Sequence, residues 1–188
     1  VIADKFIHNS LLVGVKAAGS KLVRFAHNDL KDLENKIFKF NSTHKSILII
    51  VESLYSMEGS IAPLKEIAGI CKRYNVELLV DEAHAIGILG PNGKGLSFDL
   101  SDEITMLTGT FGKSFGSGGA FIACNSKIGE HLIQTSGAFR YTTALSPALS
   151  AGALKSLQKI KNNKEWGINL LMSSKKWKKE ILENFSYP

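Results

Sequence analysis

Cysteine is scarce and long apolar runs are missing, and each shortage excludes a class of protein. The two cysteines, Cys71 and Cys124, sit inside apolar patterns without the spacing of a metal site or a disulfide framework. They read as buried, reduced thiols, which suits a cytosolic protein. The apolar run ILIIV, residues 47–51, is far too short to span a bilayer, so no membrane association is expected. The opening VIADKFIHNS has no basic flank followed by an apolar run, and therefore no secretory signal. It also lacks an initiator methionine, and the chain reads as a piece of a longer protein. There is no internal repeat, no low-complexity linker and no nucleic-acid motif. Basic residues are scattered except for KKWKK at 175–179, which reads as the solvated side of a helix. The net charge of +6 is read as a lysine-rich surface rather than the mark of an anionic ligand.

What is present is a regular alternation of strand-like and helix-like segments over 188 residues, with ordinary hydrophobic (44%) and charged (21%) contents. NSLLVGVKAAG (9–19) reads as a short helix capped by Asn9 or Ser10 and stopped by Gly19. KLVRFA (21–26) is strand-like. In NDLKDLENKIFKF (28–40), Leu30, Leu33, Ile37 and Phe40 recur at helical spacing behind Asn28 or Asp29. SILIIVES (46–53) has the unbroken apolar run of a buried parallel strand. APLKEIAGICKRYN (62–75) is a helix with Pro63 in its first turn and Leu64, Ile67, Ile70 and Cys71 on one side. Strands follow in VELLVDEAH, EITMLTGT and GGAFIACN, then helices over 127–135, 147–161 and 164–185. The expected fold is α/β: three layers, α/β/α, around a mainly parallel sheet with right-handed crossovers. Residues 1–164 are assigned to this large domain, and 165–188 to a connecting helix or the start of a second, smaller one.

Ligands of such sheets collect at the carboxyl ends of the strands. Polar groups fall at three of them: Ser56; Asp81 with His84; Thr110 with Lys113. The stretch LTGTFGKSFGSGG (107–119) resembles a phosphate-binding loop, but that motif needs glycine where Leu107 stands. It also runs into a strand, whereas a phosphate loop opens a helix. A lysine on a strand-end loop can instead form a Schiff base with an aldehyde cofactor, pyridoxal phosphate. Asp81 could then face the pyridine nitrogen and keep it protonated. His84 and Ser56 could bond the phenolic oxygen, and Thr110 the phosphate. Taken singly, Asp81 could equally cap the next turn, and His84 could be a satisfied structural histidine.

The blocks ADKFIHNSLL, RFAHNDLKDLE, VESLYSMEGSIAPLKEIAGICKRYNVELLVDEAHAIGILGPNGKG, TGTFGKSFGSGGAFIAC and FRYTTALSPA resemble, in this order, the α-oxoamine synthases. These are fold-type I pyridoxal-phosphate enzymes. The resemblance implies that Lys113 is the Schiff-base lysine and general acid/base, and that Asp81 is the partner of the pyridine nitrogen. It places His84 and Ser56 near the phenolic oxygen and Thr110 on the phosphate. His8, which by itself could be a helix-start residue, becomes the histidine stacked on the cofactor. Thr142 and Thr143 become a segment that reaches the phosphate of the neighbouring subunit. The implied reaction is a decarboxylating Claisen-type condensation of an amino acid with an acyl-CoA thioester in a homodimer. Other readings are an ordinary aminotransferase or a non-catalytic paralogue, although such paralogues typically lose the lysine. The family's upstream glycine-rich segment and the arginine that grips the substrate carboxylate lie outside these residues, so the 188-residue chain alone is expected to show little or no turnover.

Overall fold

In the computed structural model, residues 1–41 and 46–184 are described. Six strands form one sheet: β1 (Ile2–Asp4), β2 (Val23–Phe25), β3 (Leu48–Glu52), β4 (Glu77–Asp81), β5 (Met106–Thr110) and β6 (Ala120–Cys124). Their spatial order is β2-β1-β3-β4-β5-β6. All neighbours are parallel except β5 and β6, which pair antiparallel across the 111–119 loop. The helices are α1 (Asn9–Ala17), α2 (Leu30–Asn41), α3 (Leu64–Tyr74), α4 (Ser126–Thr135), α5 (Gly137–Arg140), α6 (Pro147–Asn162) and α7 (Glu165–Asn184).

The direction of the crossovers creates the site. From β1 the chain moves outward through α1 to β2. From β2 and β3 it moves the other way, through α2 and α3. Right-handed crossovers therefore put α1 on the face opposite α2 and α3. The order reverses between the carboxyl ends of β1 and β3, the place where open α/β sheets bind ligands.

The core forms where the periodicity predicts it. Leu33 and Ile37 of α2, Ile67 and Cys71 of α3, and Ile49, Val51, Leu78 and Val80 of the central strands are all buried. Burial also pushes the Cys71 thiol up to about 12, so it is a protonated packing group. Cys124 differs from the expectation: it is free but only half-buried, because β6 lies at the sheet edge.

Several boundaries shift for local reasons. The strand β1 is not visible in the sequence because three residues carry no usable alternation. The cap of α1 is His8, whose Nδ1 accepts the Ser10 amide at 3.2 Å, rather than Asn9 or Ser10. Asp29 caps α2 by accepting the Asp32 amide at 3.0 Å, while Asn28 sits at φ 55°. The short helix α5 and two 3-10 turns at Pro91–Gly93 and Phe98–Leu100 lie in stretches without a readable period. The expected final helix is seen as α7, and its forecast end at Phe185 lies outside the described residues. No helix among the described residues is long and apolar enough to cross a membrane.

Ile67 is 1% exposed at the contact of α3 with the sheet. Ile67→Ala is expected to cost about 2–5 kcal/mol, read from urea unfolding midpoints.

Candidate active site

The site begins with a buried carboxylate. Asp4, at the end of β1, is fully buried, and its Oδ1 accepts the Phe6 amide at 2.8 Å and His27 Nδ1 at 2.9 Å. Its Oδ2 accepts the Asn28 amide at 3.0 Å. His27 Nε2 reaches the Ser60 hydroxyl at 2.7 Å, and its ring packs between Phe6 and Tyr55. Asn28 Nδ2 donates to the Ile61 carbonyl at 3.1 Å. One network therefore joins the loop that carries His8, the turn before α2 and the loop that carries Ser56. Burial raises the Tyr55 phenol well above its ordinary value, with the Asp4 charge adding to the effect.

The ends of β3, β4 and β5 supply a row of polar groups. Glu52 pairs in register with Asp81, and Asp81 with Thr108. In-register neighbours share a face of the sheet, so the three side chains stand side by side. Asp81 Oδ1 accepts the Ala83 amide at 2.9 Å, so this carboxylate does cap the following turn, through one of its two oxygens. On either side of it, Glu52 Oε1 and Thr108 Oγ1 are buried and have no hydrogen-bond partner among the described residues. Glu82 points to the opposite face. It is fully buried, accepting the Ser53 hydroxyl at 2.9 Å and the Ser97 amide at 2.7 Å, which ties the 94–97 segment to β3. Gly95 is required at this contact, since a Cβ there would lie 2.8 Å from Glu82 Oε2.

Lys113 is exposed on the loop between β5 and β6. The loop closes through Phe111 N to Gly119 O (2.9 Å) and Ser117 N to Phe111 O (2.8 Å). Helix α6 holds it from behind: Ser117 Oγ donates to Leu149 O and Ser156 Oγ to Phe115 O, both at 2.7 Å. The Thr110 hydroxyl donates to Gly119 O at 3.1 Å and accepts the Gly112 amide at 3.0 Å, so its proton is committed to shaping this turn. A phosphate contact through that hydroxyl would require the proton to swing away from Gly119.

His84, His8, Asp81 and Lys113 are close enough for the charges of the other three to act on His84. Desolvation, then Lys113, holds the imidazole below its ordinary value, which keeps it neutral near pH 7. The charge of Lys113 also acts on Glu52, and the backbone of Ser56 reaches the same carboxylate. The structure thus gathers His8, Ser56, Asp81, His84 and Lys113 at the switch point. It does not bring in Thr142 and Thr143, which lie exposed in the loop between α5 and α6. The sequence reading missed Glu52, Glu82 and the Asp4–His27–Ser60 network. A groove of about 940 Å³ lies at the other end of the sheet, lined by Glu77, Phe98, Glu103, Thr105 and Cys124, and contains none of these strand-end groups.

An amine, a strand-end carboxylate and a neutral imidazole lie together at the carboxyl ends of a mainly parallel sheet, where α/β domains of this kind hold their ligands. The chain belongs to the aminotransferase class I and II family, which matches residues 1–181. It is 40% identical over 153 residues to 8-amino-7-oxononanoate synthase of Haemophilus ducreyi, covering 78% of this chain and 40% of that protein. The serine palmitoyltransferase of Sphingomonas wittichii superposes with a TM-score of 0.90 at 29% identity, over 97% of this chain and 46% of the other. A serine palmitoyltransferase from S. paucimobilis, solved with a bound PLP–myriocin aldimine, superposes with a TM-score of 0.84 at 32% identity, covering 91% and 43% of the two chains. This chain spans less than half the length of these three relatives. They are α-oxoamine synthases, and the fold is that of the fold-type I transferase domain.

Asp4→Ala would leave the partly buried Phe6 and Asn28 amides and His27 without their shared acceptor. It is expected to cost about 3–5 kcal/mol, measured by denaturant unfolding.

Proposed function

We propose that this chain is the cofactor-binding part of a pyridoxal-phosphate-dependent acyltransferase that condenses an amino acid with an acyl-CoA thioester and releases carbon dioxide and CoA. The observation that carries the reading is the row Glu52–Asp81–Thr108, near Lys113 and His84, with two buried polar atoms beside Asp81 that have no partner among the described residues. Pyridoxal phosphate, when bound, supplies an aldehyde for an amine and a ring nitrogen that draws electrons from the adjoining carbon. The residues fit that group. Lys113 Nζ would hold the group covalently through its amine and would serve as the acid/base at the α-carbon of the amino acid. Asp81, with one carboxylate oxygen on Ala83, would offer the other to the ring nitrogen and favour its protonated form. Neutral His84 and the Ser56 hydroxyl would serve the phenolic oxygen, and His8, at the N-terminus of α1, would cover the ring.

The substrates are L-alanine and a pimeloyl thioester, the reaction of 8-amino-7-oxononanoate synthase in biotin synthesis. Relatives of that name at 35–43% identity support this choice. Serine palmitoyltransferase is the second reading, favoured by the TM-score of 0.90.

The protein works as a cytoplasmic homodimer, with Thr142 and Thr143 serving the partner's site. Support comes from their exposure and from the apolar surface left open on α6 and α7, including Leu154, Leu157, Trp166 and Trp177. The large domain runs to residue 164 and α7 leads into a second one; the end of α6 at its C-cap Asn163 and the absence of buried residues in α7 support this division.

Lys113→Ala should abolish the visible absorbance of the covalent cofactor, its fixation by borohydride and the condensation, while the circular dichroism is retained. CoA release by the protein with alanine, glycine and serine against several acyl-CoAs identifies the substrates. A protein that transfers amino groups to keto acids and ignores acyl-CoA overturns the proposal.

A further inference from the structure

Glu52 is a carboxylate at the switch point to which neither the proposed chemistry nor the Asp4 network gives a task. It ends β3 as Asp81 ends β4, and the two are in register. Adjacent strands lie about 4.8 Å apart, so two carboxylates share one face at close range. Like charges this close do not both ionise freely. Their surroundings differ. Asp81 is partly exposed and accepts the Ala83 amide. Glu52 is 2% exposed, and its Oε1 has no hydrogen bond among the described residues.

The groups facing Glu52 come from four elements. They are Asp81 on β4, Lys113 on the β5–β6 loop, the His8 backbone ahead of α1 and the Ser56 backbone after β3. Tyr55, neutral and itself against Asp4, also feels the Glu52 charge. The two backbone groups and Lys113 favour the carboxylate; burial, the largest effect, and Asp81 oppose it. The balance lifts the carboxyl to about 7.

We infer that Glu52 is a positioning residue acting through Asp81: its carboxyl holds a proton while Asp81 has no cation against it, and releases that proton to solvent when a protonated ring nitrogen settles on Asp81. The inference rests on the cofactor reading above. A positive charge brought to the pair offsets the repulsion from Asp81 and draws Glu52 toward its charged form. The pocket then presents a second negative charge, which favours the protonated ring that the condensation needs. Cofactor uptake becomes linked to proton release near neutral pH.

The test counts protons. Pyridoxal phosphate is titrated into the cofactor-free protein by calorimetry between pH 6 and 7, in buffers of different ionisation enthalpy. Visible absorbance of the same samples reports binding. Wild type is expected to release up to about one proton more than Glu52→Gln, since proton changes on the cofactor and Lys113 are common to both and cancel. Glu52→Met, of similar length and without a titrating group, should match Glu52→Gln and serves if that variant folds poorly.

A second measurement needs no cofactor. A carboxyl raised from 4.5 to about 7 in the folded state contributes stability that is complete below the unfolded value and is lost as pH rises through the folded one. Denaturant midpoints of the cofactor-free wild type should therefore fall, relative to Glu52→Gln, between about pH 4.5 and 7. Equal proton release by wild type and variant, with absorbance showing the cofactor bound to both, overturns the inference and leaves the cofactor reading standing. Parallel stability curves overturn it as well. Absence of cofactor absorbance in wild type overturns the cofactor reading, and the inference with it.

Discussion

The Asp4 carboxylate is the contact on which the site depends. It is fully buried at the end of a three-residue strand, and it collects two backbone amides and an imidazole. A carboxylate in that position is tolerable because these three groups donate to its oxygens. The result is mechanical. The segment leading to His8, the turn leading into α2 and, through His27 and Ser60, the loop holding Ser56 are drawn to one point. That point is the reversal of strand order between β1 and β3, so the geometry that makes a cleft and the network that fixes its rims coincide.

From this anchor the alternation of β4 divides two acidic neighbours between two tasks. Asp81 faces the cleft, in register with Glu52 and Thr108. Glu82 faces away and closes the segment around Ser97 against Ser53. A one-residue slip in the pairing of β4 would exchange them, placing the clamp in the cleft and burying the site carboxylate without partners. The in-register pairing of β4 with β3 is thus as much a feature of the chemistry as the acidic residues themselves.

The lysine loop follows a different principle. Its glycines and the Thr110 hydroxyl make a tight antiparallel return from β5 to β6, and α6 fastens it through Ser117 and Ser156. Helix α6 itself keeps much of its apolar surface open, as does α7. The position of Lys113 therefore depends on a helix whose outer apolar surface is open.

The sequence by itself determined the alternation of elements, the buried faces of α2 and α3, and the presence of Ser56, Asp81, His84, Thr110 and Lys113 at strand ends. These are local properties: period, capping residues and the place where an apolar run stops. The tertiary structure alone decided which polar groups meet. Sequence does not show that Glu52 stands beside Asp81, because the pair is set by the register between two strands separated by a whole helix. It gives no sign that Asp4, His27 and Ser60 form one network, since they come from three separate segments. Thr110 carried the right chemistry in the sequence, yet its proton goes to Gly119, a partner that exists only once the return strand has folded back. Burial and charge proximity are properties of the assembled sheet, and they turn Glu52 from one acidic residue among 17 Asp and Glu into a carboxyl that titrates near neutrality.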